Sequence, residues 1–419
     1  MPSDITACGC DDYAVSRRTF LRGFGGALGG TVVTSMVGGV ATQVAFGAAD
    51  SPGGTLVVLS LRGGADGLSI IVPHGDPAYA PARPTITVPT GSLLAPDEMF
   101  GLHPSLDPLL PWWNAGSFGA VHAVGLPLPN RSHFAAMEEV EDADAGSSER
   151  RGWINRMVGL VGEGDPVTGV QVGSPYVPTS LYGPSPVLGL TDLTRLQLPG
   201  ANGGAAASIR RSLNHTWGAA RGPLGRGAQS AIYTSNRMSG LSVAEVPTRT
   251  TAYPSTDLGR ALRDTSRLIR SASGVRVVTL DFGGWDMHAN VGRVTAGTMK
   301  SVLDDLAASL AAFMADLGPA ADETTVVTIS EFGRRVVENG DHGLDHGYGN
   351  CVLAIGAGIR GGQVHGRWPG LSEADTVDGD LRVTTDYRSV LWEILARRFP
   401  DASLPTIFPG FSPETVGIA

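Results

Sequence analysis

Carboxylates and imidazoles follow the apolar runs of this 419-residue chain. Asp281 lies near the end of the run 275–282, and Asp286 and His288 follow it within the segment GGWDMHAN. Carboxylate oxygens and imidazole nitrogens together are the ligands that divalent cations such as zinc take from proteins. In open α/β sheets, ligands bind outside the carboxyl ends of the strands. The Asp–His pair is therefore predicted to be one arm of a metal site that several loops assemble.

Three further apolar runs are followed by residues of the same kind. These are Asp66 after 55–61, Ser132 and His133 after 118–125, Glu331 after 324–330, and His342, Asp345 and His346 in the loop beyond Glu331. Glycines lie around most of them and let the backbone bend close to an ion. A single aspartate after a strand is more often a turn or cap residue than a ligand. The prediction of a metal site therefore depends on the combination of these residues.

Such a set of residues predicts hydrolysis of a phosphate or sulfate ester. Two-metal hydrolysis needs several carboxylates, several imidazoles and a hydroxyl or water activated between the ions. Ser132 at a helix N-terminus suits that hydroxyl, because free backbone N–H groups there stabilise anions. Alternatively, Ser132 is only an N-cap, a position that serine favours, and His133 is the ligand. The cation is predicted to be divalent: zinc, manganese, calcium or magnesium.

Hydrophobic patterns predict the elements that position these residues. Continuous apolar runs predict strands covered on both faces over 55–61, 118–125, 275–282, 324–330 and 351–358. Apolar residues spaced by threes and fours predict helices over 257–272, 295–318 and 385–399. Strands that alternate with helices predict an α/β fold with helices on both faces of the sheet. Residues 163–256, rich in Pro, Gly, Ser and Ala, are predicted to form a cap or insertion over that sheet.

The first 49 residues resemble an export signal. Arg17 and Arg18 precede Phe20 and Leu21, and a weakly apolar, glycine-rich stretch follows over 27–46. This is the twin-arginine pattern, and the stretch is too weakly apolar for a stable membrane span. The twin-arginine translocase is therefore the expected partner during export. The mature domain is predicted to begin near residue 50, to extend to 419, and to be periplasmic or extracellular.

Charge and cysteine content disfavour other classes of function. The chain has 31 basic and 40 acidic residues, a formal charge of −9, which argues against sequence-independent binding of nucleic acid. Cys8 and Cys10 lie in the predicted signal, which leaves Cys351 in an apolar run, where it is predicted to be a core residue. An exported redox protein is a third interpretation. It has no support from a cysteine cluster, and the segment RGGADG is not a G-x-G-x-x-G motif.

Six motifs of the chain resemble, in the same order, those of the exported bacterial family called domain of unknown function 1501. They are RGGADGLS, NRSHFAAME, GWINR, GWDMHAN, SEFGRR and DHGYGN, and they extend over most of the mature chain. That family is placed in the alkaline-phosphatase-like superfamily, with phosphatases and sulfatases. The resemblance implies an alkaline-phosphatase-like three-layer sandwich: a mostly parallel sheet with helices on both faces and an inserted cap.

The resemblance also implies roles for individual residues. Asp66 is similar to the first metal ligand and Ser132 to the nucleophile. Asp281 or Asp286, with His288, resembles the next Asp…His pair, and His346 resembles the final histidine. The chain has Glu331-Phe332-Gly333 where the superfamily has Asp-His-Gly, so an imidazole ligand is missing there. His133 or His342 could supply it. The C-x-P-x-R motif of sulfatases is absent, which does not support a formylglycine mechanism.

Two functional interpretations follow from these residues. In the first, the protein is an exported metal-dependent hydrolase of an anionic ester, for instance on an envelope polymer. In the second, it is a non-catalytic or degenerate envelope protein that retains the fold and a structural metal. The change at Glu331-Phe332 discriminates between them, because a complete two-metal site would need to recover its missing imidazole nearby.

Overall fold

The computed structural model describes residues 54–144, 150–162, 164–193, 206–240, 246–249 and 252–419. The predicted signal segment 1–49 lies outside these residues, so its role stays a prediction. A search of the described part of the chain for membrane spans finds no helix of the required length and apolar character.

Eleven strands are present in the described residues. They are β1 (Thr55–Leu61), β2 (Ile71–Val72), β3 (Gly101–Leu102), β4 (Phe118–Gly125), β5 (Gly169–Val172), β6 (Leu188–Leu190), β7 (Val277–Phe282), β8 (Thr324–Ile329), β9 (Asn350–Gly356), β10 (Val364–His365) and β11 (Thr385–Asp386). All five strands predicted from apolar runs are confirmed: β1 and β4 have the predicted bounds, and the ends of β7, β8 and β9 differ by one or two residues.

Helices fill most of the connections between these strands. They are α1 (Gly67–Ile70), α2 (Tyr79–Ala82), α3 (Leu110–Asn114), α4 (His133–Asp142), α5 (Trp153–Val161), α6 (Ala206–Trp217), α7 (Gly222–Gly240), α8 (Asp257–Arg270), α9 (Thr298–Leu317), α10 (Tyr387–Arg398) and α11 (Leu404–Ile407). The three predicted helices are confirmed as α8, α9 and α10. Thr256 and Asp386 cap the first turns of α8 and α10, and their side chains accept backbone N–H groups there.

The main sheet is mostly parallel. Its strand order is β10-β4-β9-β8-β1-β7-β5-β6, with β11 also paired to β4. Only β9 runs antiparallel to its neighbours, β8 and β4. The carboxyl ends of β1, β4, β7 and β8 therefore meet at one edge of the sheet, and the start of β9 lies at the same edge. Loops from five strands converge there.

Helices cover both faces of this sheet, as predicted. Alternate residues of β1 point into two separate apolar cores, because side chains of a strand alternate between its faces. Val57 and Leu59 join the core that includes α8 and α9. Leu56 and Val58 join the core that includes α5 and α10. The complete burial of β1 explains why its sequence has no polar alternation.

Part of the predicted insertion belongs to the sheet itself. Residues 169–172 and 188–190 form β5 and β6, and β5 pairs in parallel with β7. The prediction assigned them to a cap because both strands are short and are surrounded by Pro and Gly. The later part of that region forms α6 and α7.

The prediction that Cys351 is a core residue is confirmed. It lies in β9, it is buried and it has a free thiol. Burial raises the pKa of this thiol, which keeps it protonated and unreactive at neutral pH.

Candidate metal centre

Four side chains converge at the edge where the strands end. The loop after β4 leads to His133 at the start of α4, the loop after β7 carries Asp286 and His288, and His346 precedes β9. Ligand atoms of His133, Asp286 and His346 all lie within 4.8 Å of one another. His288 Nε2 lies 3.0 Å from His346 Nε2 and 3.1 Å from Asp286 Oδ1. We call these four residues the His–Asp cluster.

Asp286 lies at the centre of the cluster. Its Oδ1 is 3.5 Å from His133 Nε2 and 3.5 Å from His346 Nε2. Burial alone would raise the pKa of Asp286. The hydrogen bond and charge of Arg334, with the neighbouring imidazoles, outweigh that effect and hold the pKa below its usual range. The carboxylate is therefore ionised at neutral pH.

Each imidazole of the cluster is held at its Nδ1 atom by an acceptor. His133 Nδ1 lies 2.8 Å from Glu331 Oε1, and His288 Nδ1 lies 3.0 Å from Asp345 Oδ1. His346 Nδ1 lies 2.9 Å from the backbone oxygen of Arg131. Because these oxygens accept, each Nδ1 carries the proton and each Nε2 of a neutral ring presents a lone pair. Carboxylate–histidine pairs of this kind orient the ligands of metal sites.

In the tautomers that the Nδ1 contacts select, the Nε2 lone pairs of the three imidazoles receive no hydrogen bond among the described residues. His133 Nε2 is buried and has no hydrogen-bond partner among the described residues. His288 Nε2 and His346 Nε2 face each other at 3.0 Å, although neither carries a proton in the neutral tautomer that its Nδ1 contact selects. Burial, together with the nearby positive groups, lowers the pKa of His346, which favours the neutral ring. A cation between His133, Asp286 and His346 would satisfy the ligand atoms of these three residues, and His288 Nε2 lies 3.0 Å from His346 Nε2 beside them.

Glu331 and Asp345 lie behind the cluster. Glu331 is buried and also accepts hydrogen bonds from the Gly63 backbone N–H and the Ser330 hydroxyl. Asp345 also accepts from the side-chain amide of Asn339. The hydrogen bonds from His288 and Asn339 lower the pKa of Asp345. The sequence predicted both carboxylates as metal ligands, whereas the structure places them as the partners that orient His133 and His288.

Asp66 lies outside the cluster. Both of its carboxylate oxygens accept from the buried guanidinium of Arg83, with Oδ2–Nη1 and Oδ1–Nη2 distances of 2.5 and 2.9 Å. Burial would raise the pKa of Asp66, but its ion pair with Arg83 lowers it overall. The predicted first metal ligand is thus fully occupied by an internal cation.

Asp281 and His342 also lie apart from the cluster. Asp281 Oδ1 accepts from Arg62 Nε at 2.7 Å, and Arg62 also pairs with Glu141. His342 is exposed, and its Nδ1 lies 3.1 Å from the Thr85 hydroxyl. Of the two histidines offered for the missing imidazole, the structure brings only His133 into the cluster.

Ser132 takes the position of the N-cap of α4. Its hydroxyl oxygen accepts the backbone N–H of Ala135, at a long distance of 3.5 Å. None of the hydrogen bonds in the described part of the chain joins Ser132 Oγ to an imidazole. A serine nucleophile needs a base within hydrogen-bond reach. The observed contact is that of a cap.

Arg334 is a residue of the site that the sequence did not single out. Its side chain is 1% exposed, and its guanidinium donates to Asp286 Oδ1 at 2.7 Å. It also donates to the backbone oxygens of Gly64, Leu344 and Trp285. One arginine thereby ties together three loops at this edge of the sheet, two of which carry residues of the cluster. The available signal was its place in the motif SEFGRR.

Two residue types explain how closely these loops pack. Gly63 has φ +117°, and a Cβ there would lie 2.5 Å from the backbone nitrogen of Asp286. A Cβ on Gly64 would lie 2.6 Å from the ring of Phe332. That ring packs against His133 and His346, with centroids 4.9 and 4.8 Å away. Phe332 thus forms the apolar floor of the cluster.

The sequence and structure were compared with those of known proteins. Residues 243–388 match the family model described as "Protein of unknown function (DUF1501)". No curated protein matches the chain. Among solved structures, the chain is similar to the C-terminal periplasmic domain of EcEptC from Escherichia coli, crystallised in complex with Zn. The two share 10% identity over 93% of this chain and 92% of that one, with a TM-score of 0.35.

Proposed function

We propose that this chain is an exported, metal-dependent hydrolase of phosphate or sulfate esters that belongs to the DUF1501 family over its mature length. The observation that carries the proposal is the convergence of three imidazole Nε2 atoms on the ionised carboxylate of Asp286. The matched segment 243–388 contains Asp286, His288 and His346. The resemblance of the motifs outside that segment extends the proposed membership, and with it an alkaline-phosphatase-like fold, to the rest of the chain.

The donor set fits a zinc-type cation. Zinc takes nitrogen and oxygen ligands at about 2.0–2.2 Å in a tetrahedron, so its ligand atoms lie about 3.3–3.6 Å from one another. The distances from Asp286 Oδ1 to the three imidazoles, 3.1, 3.5 and 3.5 Å, are close to that range. His133 Nε2, buried and unpartnered, is the kind of atom that a bound ion would satisfy. His133, Asp286, His288 and His346 would hold the ion.

The proposed site holds one metal. The sequence predicted the residue set of a two-metal site, but Arg83 occupies both oxygens of Asp66. Glu331 is likewise engaged by His133, Ser330 and the Gly63 backbone. The recovered imidazole, His133, completes the four-residue cluster. Manganese, calcium and magnesium are less suited, because they prefer oxygen ligands.

The residues around the cluster have distinct tasks in this proposal. When bound, the cation would polarise an ester oxygen and lower the pKa of a bound water. Glu331 and Asp345 fix the proton on Nδ1 of His133 and His288, so that each Nε2 stays free for the ion. Arg334 keeps Asp286 ionised and aimed at the imidazoles. Because no hydrogen bond among the described residues joins Ser132 Oγ to a base, the proposed nucleophile is water, and the alcohol of the ester is the leaving group.

A second candidate function is a non-catalytic envelope protein with a structural metal. The favouring observation is Arg334, which already provides a positive partner for the same Asp286 oxygen that faces the imidazoles. The two candidates differ in one respect, which is whether the metal-loaded protein turns over an ester.

Zinc-loaded protein is expected to hydrolyse an aryl phosphate or an aryl sulfate, and protein stripped with a chelator is expected to lose that activity and regain it with zinc. Ser132→Ala should retain the rate and lose about 1 kcal/mol of stability, as expected for a lost cap. The assay compares initial rates at matched metal content. Bound zinc without turnover of either ester would support the structural alternative instead. If zinc-loaded wild type hydrolyses the ester and zinc-loaded Ser132→Ala does not, Ser132 is the nucleophile.

Export is also part of the proposal. Replacing Arg17 and Arg18 together with lysine should retain the precursor in the cytoplasm, because the twin-arginine translocase reads that pair. Fractionation of cells that express the wild type and the double variant measures the effect. Unchanged amounts of processed protein in the exported fraction would remove the twin-arginine translocase from the proposal.

A further inference from the structure

A buried carboxylate beside the cluster holds two arginines from different loops. Asp380 is fully buried, and its Oδ2 accepts from Nε of Arg131 at 3.0 Å and from Nη2 of the same residue. Arg335 Nε lies 3.4 Å from Asp380 Oδ1, and Arg335 Nη2 donates to the backbone oxygen of Asp378. Asp380 is thus a single anchor for two guanidinium groups.

Both arginines are tied to the His–Asp cluster through their backbones. The carbonyl oxygen of Arg131 accepts from His346 Nδ1 at 2.9 Å. The backbone N–H of Arg335 donates to the carbonyl oxygen of Asp345, the residue that orients His288. Arg131 directly precedes the Ser132-His133 pair, and Arg335 directly follows Arg334. The backbones of both arginines therefore border the residues that form and orient the cluster.

The two guanidinium groups retain donors that face solvent. The side chains of Arg131 and Arg335 are 39% and 38% exposed, whereas Asp380 is fully buried. The buried carboxylate of Asp380 pairs with both guanidinium groups and leaves the solvent-facing Nη1 atoms without an acceptor among the described residues. Arginine donors of this kind suit the oxygens of a phosphate or sulfate group.

We propose that Arg131 and Arg335, positioned by Asp380, bind the non-bridging oxygens of the tetrahedral anion in the substrate. This inference rests on the proposed function and specifies its substrate as an ester with a charged phosphate or sulfate group. In this proposal the cluster and the arginine pair have separate roles in binding the substrate. The cluster binds the metal, and the arginines bind and orient the anion.

The test is calorimetric titration of zinc-loaded protein with inorganic phosphate and, separately, with sulfate. Arg131→Gln and Arg335→Gln should each weaken binding of the preferred anion by about 10-fold to 100-fold, the usual effect of losing a hydrogen bond between charged groups. Zinc affinity should stay unchanged, because the contacts of both arginines with the cluster are made by backbone atoms. Arg382→Gln is the matched control. That arginine is exposed, lies in the same region, and donates only to the backbone oxygens of Asp375 and Thr376.

Equal anion affinities in the wild type and both glutamine variants would overturn the inference, as would a wild type that binds neither anion at millimolar concentration. The variant Arg335→Gln covers the case in which Arg131→Gln does not fold. Failure of the anion-binding inference is distinguishable from failure of the proposed function. If the protein binds zinc and phosphate but hydrolyses no ester, the anion site is supported and only the proposed enzymatic function is contradicted.

Discussion

His346→Ala is expected to weaken zinc binding by more than about 100-fold. Loss of a residue that only orients a ligand typically costs 10-fold to 100-fold in metal affinity, and His346 is proposed as a ligand itself. Its Nε2 lies 3.0 Å from His288 Nε2 and 3.5 Å from Asp286 Oδ1, so its removal opens one side of the cluster. Titration with zinc in the presence of a competing chelator measures the change.

His342→Ala is the matched control for this prediction. His342 lies only four residues away, it is exposed, and its ring contacts Thr85 instead of the cluster. Its replacement should leave zinc affinity unchanged. If the two alanine variants lose zinc equally, or if neither does, His346 is not a ligand.

Asp66→Asn is expected to lower the free energy of unfolding by about 3–5 kcal/mol, which is the usual cost of leaving one partner of a buried ion pair without the other. Arg83 is fully buried, and Asp66 is its carboxylate partner at both Nη atoms. The variant should nevertheless bind zinc normally, because Asp66 is no part of the His–Asp cluster. Denaturant unfolding and a zinc titration measure the two properties.

The effect of Asp66→Asn should also depend on pH. The pKa of Asp66 is lowered in the folded protein, so the ion pair contributes its full stability above the ordinary pKa of aspartate. That contribution is lost as the pH falls through the folded value. The difference between wild type and variant should therefore shrink in acid. Asp281→Asn is the control, since Asp281 pairs with a half-exposed arginine and should change stability by less than about 1 kcal/mol. A loss of zinc in Asp66→Asn would return Asp66 to the list of ligands.

The strands of the sheet could be predicted because burial on both faces removes polar residues from them. β1 and β8 are fully buried and read as unbroken apolar runs. β5 and β6 were assigned to the cap instead of the sheet, since three or four residues between Pro and Gly carry too weak a pattern to place them. The direction of β9 was also not predicted. Apolar content does not distinguish parallel from antiparallel pairing, and that direction is what places His346 at the same edge as His133.

The cluster could be predicted only in part, because residue type and position after a strand do not say where a side chain's partner lies. Asp286, His288 and His346 come together as expected, and His133 joins them. Asp66 has the residue type and position of a ligand, but Arg83, 17 residues later, takes both of its oxygens. Glu331 and Asp345 contact the Nδ1 side of an imidazole, whereas Asp286 faces the Nε2 atoms, and residue type does not reveal this difference. The roles of Arg334 and Asp380 depend on contacts between distant loops, which no local pattern records.

The most direct measurement is an anomalous difference map at the zinc edge from crystals grown with zinc. The proposed site predicts one peak per chain, about 2.0–2.2 Å from Nε2 of His133, His288 and His346 and from a carboxylate oxygen of Asp286. Absence of a peak at these four residues, or a peak bound by Asp66 or Asp281 instead, would contradict the proposed metal centre.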